Sequence, residues 1–183
     1  MKLINFIIFL FLLFSIHSLK AESRDVELNK LFNKLKIDSE TVSYEIEQKI
    51  WKIWSTHPND QKLTKILAKG SYLVRNKQFS KAINIFTEVI NLDPNWAEAW
   101  NKRATVFYIM GDYKASQSDI DKVLQLEKRH FGALAGQGLV NIKLENYEKA
   151  IESYKKAKEI YPTMQSPDIM IKQIEDLIKQ QLI

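Results

Sequence analysis

Two periods run through the apolar positions of this chain, a helical one and a longer one of 34 residues. Segments beginning at Leu63, Ala97 and Phe131 align column by column. The eighth column reads Gly70, Ala104, Gly138; the seventeenth, Phe79, Tyr113, Tyr147; the twentieth, Ala82, Ser116, Ala150. The twenty-fourth column holds Phe86, Ile120, Tyr154, the twenty-seventh Val89, Val123, Ala157, and the thirty-second Pro94, Lys128, Pro162. Small residues stay with small ones and large with large. A fixed period with this alternation marks a stacked helical repeat, in which each unit needs its neighbours to bury its apolar face.

Each unit reads as two antiparallel helices. In the second, the pattern predicts a first helix from Ala97 to Met110, with Asn95 as its cap and Glu98 in the capping-box place. Gly111-Asp112 makes the turn, since both tolerate left-handed backbone. A second helix then carries Tyr113, Ser116, Ile120, Val123 and Leu124 on one face. Pro94 and Pro162 stop the second helices of their units, because proline brings no backbone donor. The connection at Lys128 is expected to turn less sharply.

The flanks follow the same logic. Residues 22–60 predict a hairpin ahead of the first clear repeat, a degenerate unit with Leu28, Leu31, Phe32 and Leu35 on one helix and Val42, Ile46, Ile50, Ile53 and Trp54 on the next. Trp51 and Trp54 either form an exposed aromatic site or, as taken here, include at least one ring packed against the first repeat. At the other end, Ser166-Pro167-Asp168 is a helix start. Residues 166–183 are read as a helix capping the stack; a helix that pairs with a partner or docks on a membrane is the alternative. The intervening units are 63–96, 97–130 and 131–164, within a repeat domain of 61–165.

Residues 1–21 are a separate object. Lys2 precedes an apolar run from Leu3 to Ile16, too short for the ~20 residues a spanning helix needs and suited to a signal peptide. Ala21 is the cleavage point considered, although Leu19 is large for its place. The expectation is an exported protein; the alternative is a retained anchor, with membrane attachment through residues 1–20.

Composition narrows the chemistry. The 183 residues are 45% hydrophobic and 27% charged, with 5 Gly and 4 Pro, too little punctuation for many short strands. The absence of cysteine excludes disulfides, thiolate metal sites and a cysteine nucleophile. The formal charge is +5, but Lys2 and Lys20 lie in the leader. The remaining excess is mild and forms no basic run, which argues against a nucleic-acid partner.

Catalytic signals are missing. The stretch "FGALAGQGLV", with Gly132, Gly136 and Gly138, has neither the preceding strand nor the following Lys-Ser or Lys-Thr of a phosphate loop; Gly138 falls in the small-residue column and reads as packing. His17, His57 and His130 show no metal-ligand spacing. No serine in an elbow-like turn accompanies His130, which reads as a connection residue. Asp119, Asp121, Glu148 and Glu152 read as solvated helix faces. No cofactor, metal or catalytic residue is expected, and the protein is taken not to be an enzyme.

The columns above, with "AEAW" at 97–100, "GDY" at 111–113, "VLQLE" at 123–127 and "NYEKAIESYKKAKEIYP" at 146–162, resemble the tetratricopeptide repeat family. The resemblance covers about 63–162. It implies an all-α, right-handed superhelical solenoid of about three units, similar to small exported bacterial proteins of that family, and through that likeness a periplasmic location, or a membrane-anchored domain facing the periplasm as the alternative. One departure stands out: the seventh position, usually apolar, holds Lys69, Arg103 and Gln137. The resemblance also implies a binding role. The family's inward positions fall on Leu67, Ser71, Val74 and Arg75, then Asn101, Thr105 and Tyr108, then Leu139, Ile142 and Lys143. A protein or peptide is the expected partner, held in the concave groove; a signal-anchored envelope-assembly factor is the alternative. The family's clamp for chaperone tails is absent, since its positions hold Leu67, Ser71, Lys102, Gly132 and Gly136.

Overall fold

The computed structural model describes residues 24–36 and 40–181; the leader expected at 1–21 lies outside them. Among the described residues there are helices and no strands. They are α1 (24–35), α2 (Glu40–Ser55), α3 (Gln61–Arg75), α4 (Phe79–Leu92), α5 (Ala97–Ile109), α6 (Tyr113–Leu126), α7 (Phe131–Lys143), α8 (Tyr147–Ile160) and α9 (Gln165–Gln181).

Three hairpins, α3–α4, α5–α6 and α7–α8, stack in two layers. Helices α3, α5, α7 and α9 neighbour one another in the first layer, while α4, α6 and α8 lean on the helix that follows each. The 34-residue columns give the contact rule inside a hairpin. A Cβ placed on Gly70 would stand 2.8 Å from Phe86 Cδ1, and one on Gly138 would stand 2.5 Å from Tyr154 Cζ. Ala104 packs in one cluster with Ile120. The small column thus admits the large column of the same unit, and the two helices approach because one side chain has been removed.

Caps and turns fix the ends. Asp60 accepts the Lys62 N–H at 2.7 Å, and Asp112 accepts the Ala115 N–H at 3.0 Å, as N-caps should. The cap of α5 is Trp96, not Asn95, and it makes no side-chain cap bond. Asn95 instead donates its backbone N–H to Asp93 at 2.9 Å. Glu98 does not close a capping box; it is buried in a polar cluster described below. The connection through Lys128 is as tight as the two proline connections. Each closes with one backbone bond, Trp96 to Asp93, His130 to Glu127 and Met164 to Tyr161, at 3.3, 3.1 and 3.0 Å. The turn is closed by that bond, in which the residue at the position of Pro94, Lys128 and Pro162 takes no part. Within each hairpin the chain turns through a positive φ, at Lys77 (56°), Gly111 (81°) and Glu145 (60°). Only the second unit uses glycine there. Helix α9 begins at Gln165, one residue before the expected Ser166 cap, and an ion pair from Lys158 to Asp168 ties its first turn to α8.

The unusual seventh position is explained by a polar ladder. Arg103 grips Asp119 through two bonds of 2.8 Å and reaches Thr87 at 3.0 Å. Gln137 accepts from Ser153 at 3.0 Å. Asp119 is therefore buried, contrary to its reading as a solvated residue, because its partner is the long Arg103 side chain. Asp121, Glu148 and Glu152 are exposed as expected.

The N-terminal pair departs most from the expectation. Helix α2 does not lie along α3 as a preceding unit would. It packs on α5 and across the connections between units. Leu28, Leu31, Phe32, Leu35, Ile46, Ile50 and Trp54 form one core with Phe131 and Tyr161. Trp51 and Trp54 meet His130 and Phe131 at the start of the third unit, not the apolar face of the first repeat. Trp96 donates its indole N–H to the Trp54 carbonyl at 2.8 Å, Arg129 donates to Asn29 at 2.6 Å, and Tyr161 donates to Glu47 at 3.2 Å. One helix pair thereby touches three successive connections. No helix among the described residues is long and apolar enough to cross a membrane.

Candidate functional site

The inner faces of α5 and α7 meet above α6 and leave a recess of about 80 Å³. From α5 come Asn101, Ala104, Thr105 and Tyr108; from α7 come Gly132, Ala133, Gly136 and Leu139; the floor is Ser116 and Ile120. Helical spacing explains the gathering. Asn101, Thr105 and Tyr108 follow at i, i+4 and i+7, and Gly132, Gly136 and Leu139 repeat that pattern, so each set lies on one stripe. Four residues expected in the groove, Asn101, Thr105, Tyr108 and Leu139, are brought together here.

The others are placed differently. Leu67 is buried in the core with Phe86 and Val89 and is not available to a ligand; its stripe on α3 turns inward with Leu63. Ser71 is half-buried and spends its hydroxyl on the Leu67 carbonyl at 3.2 Å. Val74 packs partly against the same core, and Arg75 is exposed, its guanidinium 5.9 Å from the Tyr72 ring centre. Ile142 leans on the Tyr154 and Ile174 cluster, and Lys143 is exposed. Arg75 and Lys143 have no carboxylate partner among the described residues. Asn101 is largely buried and donates to Glu98 at 3.0 Å. Thr105 is exposed, with its hydroxyl turned back to the Asn101 carbonyl at 2.9 Å.

The N-terminal end of this face is closed by a buried polar cluster. His130 Nδ1 accepts the Ala133 N–H at 3.1 Å, capping α7. That bond puts the imidazole proton on Nε2, which donates to Glu98 Oε2 at 3.2 Å. The other Glu98 oxygen lies 2.9 Å from the Lys102 ammonium. Burial works against the Glu98 charge, but the His130 bond and the Lys102 cation outweigh it and hold the carboxyl below its ordinary range. The Trp54 ring stacks on His130, and Trp51 lies 5.7 Å below the Lys102 ammonium. A Cβ on Gly132 would stand 2.6 Å from Trp51 Cη2. Gly132 is thus open to α2, and the groove is covered at that point by the chain's own tryptophan.

Repeat spacing did not reveal this closure. The signal available was the combination of a two-tryptophan helix with His130, Phe131 and a glycine in succession, where a ring can be received. Among the described residues no group of three or more His, Asp or Glu is placed to hold a metal ion.

Stacked two-helix units with this internal contact rule define a helical-repeat protein. Models of the tetratricopeptide repeat match residues 66–95, 97–130 and 131–164, together just over half the chain, and the protein belongs to that family. It is 38% identical over 89 residues to a TPR repeat-containing protein of Rhizobium etli, a match covering 49% of this chain and 44% of that one. It is 26% identical over 97 residues to Hsp70-Hsp90 organizing protein 1 of Glycine max, covering 53% and 17%. The matches therefore span less than half the length of these relatives. Among solved structures, the first TPR domain of Spaghetti bound to an HSP90 peptide superposes with a TM-score of 0.64 at 19% identity, covering 66% of this chain and 96% of that one. MamA superposes at 0.60 and 20% identity, covering 73% and 78%. These two likenesses concern the fold.

Proposed function

We propose that the protein is a non-catalytic scaffold that holds an extended peptide or a partner helix on the open part of the face formed by α3, α5 and α7. The observation that carries this reading is the convergence of Asn101, Thr105, Tyr108 and Leu139 around one recess. A similar fold carries a peptide in the Spaghetti complex. Contacts come from Tyr108, Leu139, Ile142 and Val74, with Arg75 and Lys143 at the margin; Leu67 has no part in them. The clamp positions hold other residues, so a chaperone tail gripped by its terminal carboxylate is not implied.

The protein is further proposed to be exported, with residues 1–21 removed and the domain working in the periplasm. The apolar run from Leu3 to Ile16 behind Lys2 supports that reading. Retention of the same segment would give the alternative, an anchored envelope-assembly factor. Mass spectrometry of the N-terminus separates the two: a chain starting near Ala21 or Glu22 supports export with cleavage, and Met1 on membrane-bound protein supports the anchor.

Photo-crosslinking in cells tests the binding face. A crosslinking residue at Thr105, or at Ile109, exposed at the end of α5 one residue after Tyr108, should trap a defined partner, and one at Lys156, exposed on α8, should not. Equal products at all three positions, or none at Thr105 and Ile109, would remove the groove from the account.

A further inference from the structure

Four positions recur where the first helix of a unit meets the hairpin before it. At α5 they hold Trp96, Ala99, Arg103 and Val106, and at α7 His130, Ala133, Gln137 and Val140. All of these are buried or half-buried. Trp96, Ala99 and Val106 share one core with Phe86 and Val89 of the preceding hairpin. One unit earlier the same columns hold Lys62, Lys65, Lys69 and Tyr72. These are exposed, Tyr72 at 57% where Val106 and Val140 are at 0%. Their flank of α3 is open because α2, which would supply the preceding helix, packs on α5.

The open flank carries one sign of charge. Lys62, Lys65, Lys69 and Tyr72 stand at i, i+3, i+7 and i+10, a single stripe, and α3 contains no Asp or Glu. A cleft of about 840 Å³ at the foot of the stripe adds Arg24, Lys49 and Lys52. Its carboxylates are Glu27 and Asp60, and Asp60 is spent on the N–H groups of Lys62 and Leu63. None of these lysines has an ion-pair partner among the described residues. A cap made only for solubility mixes its signs, as α9 does at the other end with exposed Lys172, Glu175, Asp176 and Lys179. A single-signed stripe beside an exposed phenol ring suits an anionic surface.

The chain enters the fold at the same place. Arg24, the first described residue, donates to the Thr56 carbonyl at 2.8 Å, in the connection into α3. The apolar run that ends at Ile16 is no more than about 30 Å along the chain from Arg24, even fully extended. A retained leader would hold this flank near a bilayer, and charge alone would serve the cleaved form.

We infer that the open flank of α3 is a docking face for an anionic phospholipid surface. Lys62, Lys65 and Lys69, helped by Lys49 and Lys52 at the cleft, face the lipid phosphates. The Tyr72 ring lies at headgroup level, where tyrosine is enriched. The columns involved are not those of the groove, so the inference stands apart from the scaffold reading.

The chain has no cysteine, so a single introduced one reports position cleanly. Asn76→Cys, at the next exposed residue of the stripe, and Lys156→Cys, exposed on α8, are made in the full chain and labelled with a fluorescent dye. Vesicles of phosphatidylcholine, with or without phosphatidylglycerol, are added and the dye is quenched with acrylamide. The label at position 76 should be shielded only by vesicles holding phosphatidylglycerol, and the label at position 156 by neither kind. High salt should remove the shielding. Lys62→Gln/Lys65→Gln/Lys69→Gln should lower the ratio of shielded to open label at least about tenfold, since each lysine near an anionic surface accounts for about fivefold. The circular dichroism of that variant should match the parent's. The leader is common to every sample, so attachment through it cannot imitate the difference. Shielding that ignores lipid charge, or that survives the triple change, overturns the inference. So does a label at position 76 that stays open on every vesicle, the result expected if the flank serves an acidic protein instead.

Discussion

The Trp54 indole lies flat on the His130 imidazole, with ring centres 4.0 Å apart and planes 9° from parallel. The residues belong to α2 and to the connection before α7, so this stack joins the N-terminal pair to the third unit. His130 is held from below by Glu98 and caps α7, which makes the stack the centre of a brace across the repeats. In an unbraced solenoid each unit touches only its neighbours and stability is nearly a sum of local terms. Here a side chain from α2 ties units two and three together.

Trp54→Ala should therefore act beyond its own helix. The expected loss is about 3–5 kcal/mol, as for a buried large-to-small change. Hydrogen exchange should accelerate at the N-terminal turns of α5 and α7 as well as in α2. Acceleration confined to α2 would show that the pair does not brace the stack.

Gly138→Ala should destabilise the protein by roughly 1–3 kcal/mol, because the new methyl collides with a buried Tyr154 ring. Gly138→Leu should cost more. Thermal melting checks the sign, and an unchanged melting temperature would contradict the contact rule that pairs the small and large columns.

Arg103→Met restores the apolar residue usual at the seventh repeat position, yet it should destabilise by about 3–5 kcal/mol, since it strands the buried Asp119 carboxylate. The double change Arg103→Met/Asp119→Leu should recover much of the loss. A denaturant double-mutant cycle measures the coupling; purely additive effects would reject the ladder.

Glu98 gives a pH signature. Its folded carboxyl is held below its ordinary value, so the stability it contributes is present above the unfolded value and is lost as pH falls through the folded one. Melting temperature followed from neutrality down to about pH 3 should fall steeply below the ordinary carboxylate range. Glu98→Gln should be less stable at neutral pH and should show a shallower fall in acid. Parallel curves would exclude Glu98 from the linkage.

The repeat was legible because each unit repeats one contact. Gly70, Ala104 and Gly138 face Phe86, Ile120 and Tyr154 at a constant spacing, and both members of the pair lie in the same hairpin. The stripe of Asn101, Thr105 and Tyr108 on α5, which lines the recess, followed from the family's inward positions and from helical spacing. Leu67 was misplaced because a family position gives an angle around the helix, whereas burial depends on how far the neighbouring layer reaches. Asp119 was misjudged because composition cannot show that Arg103 spans the gap to it.

The sequence alone determined the all-α repeat, its register, its hairpin turns and the residues that face one another within a unit. These depend on neighbours at most one unit away, and helical period fixes them. Tertiary structure alone decided where α1 and α2 come to rest, which glycines are filled from inside and which stretch of the groove stays open. Those outcomes rest on contacts such as Trp51 with Gly132 and Trp54 with His130, between residues far apart in the chain. No local period encodes such pairs; only the meeting of finished surfaces selects them.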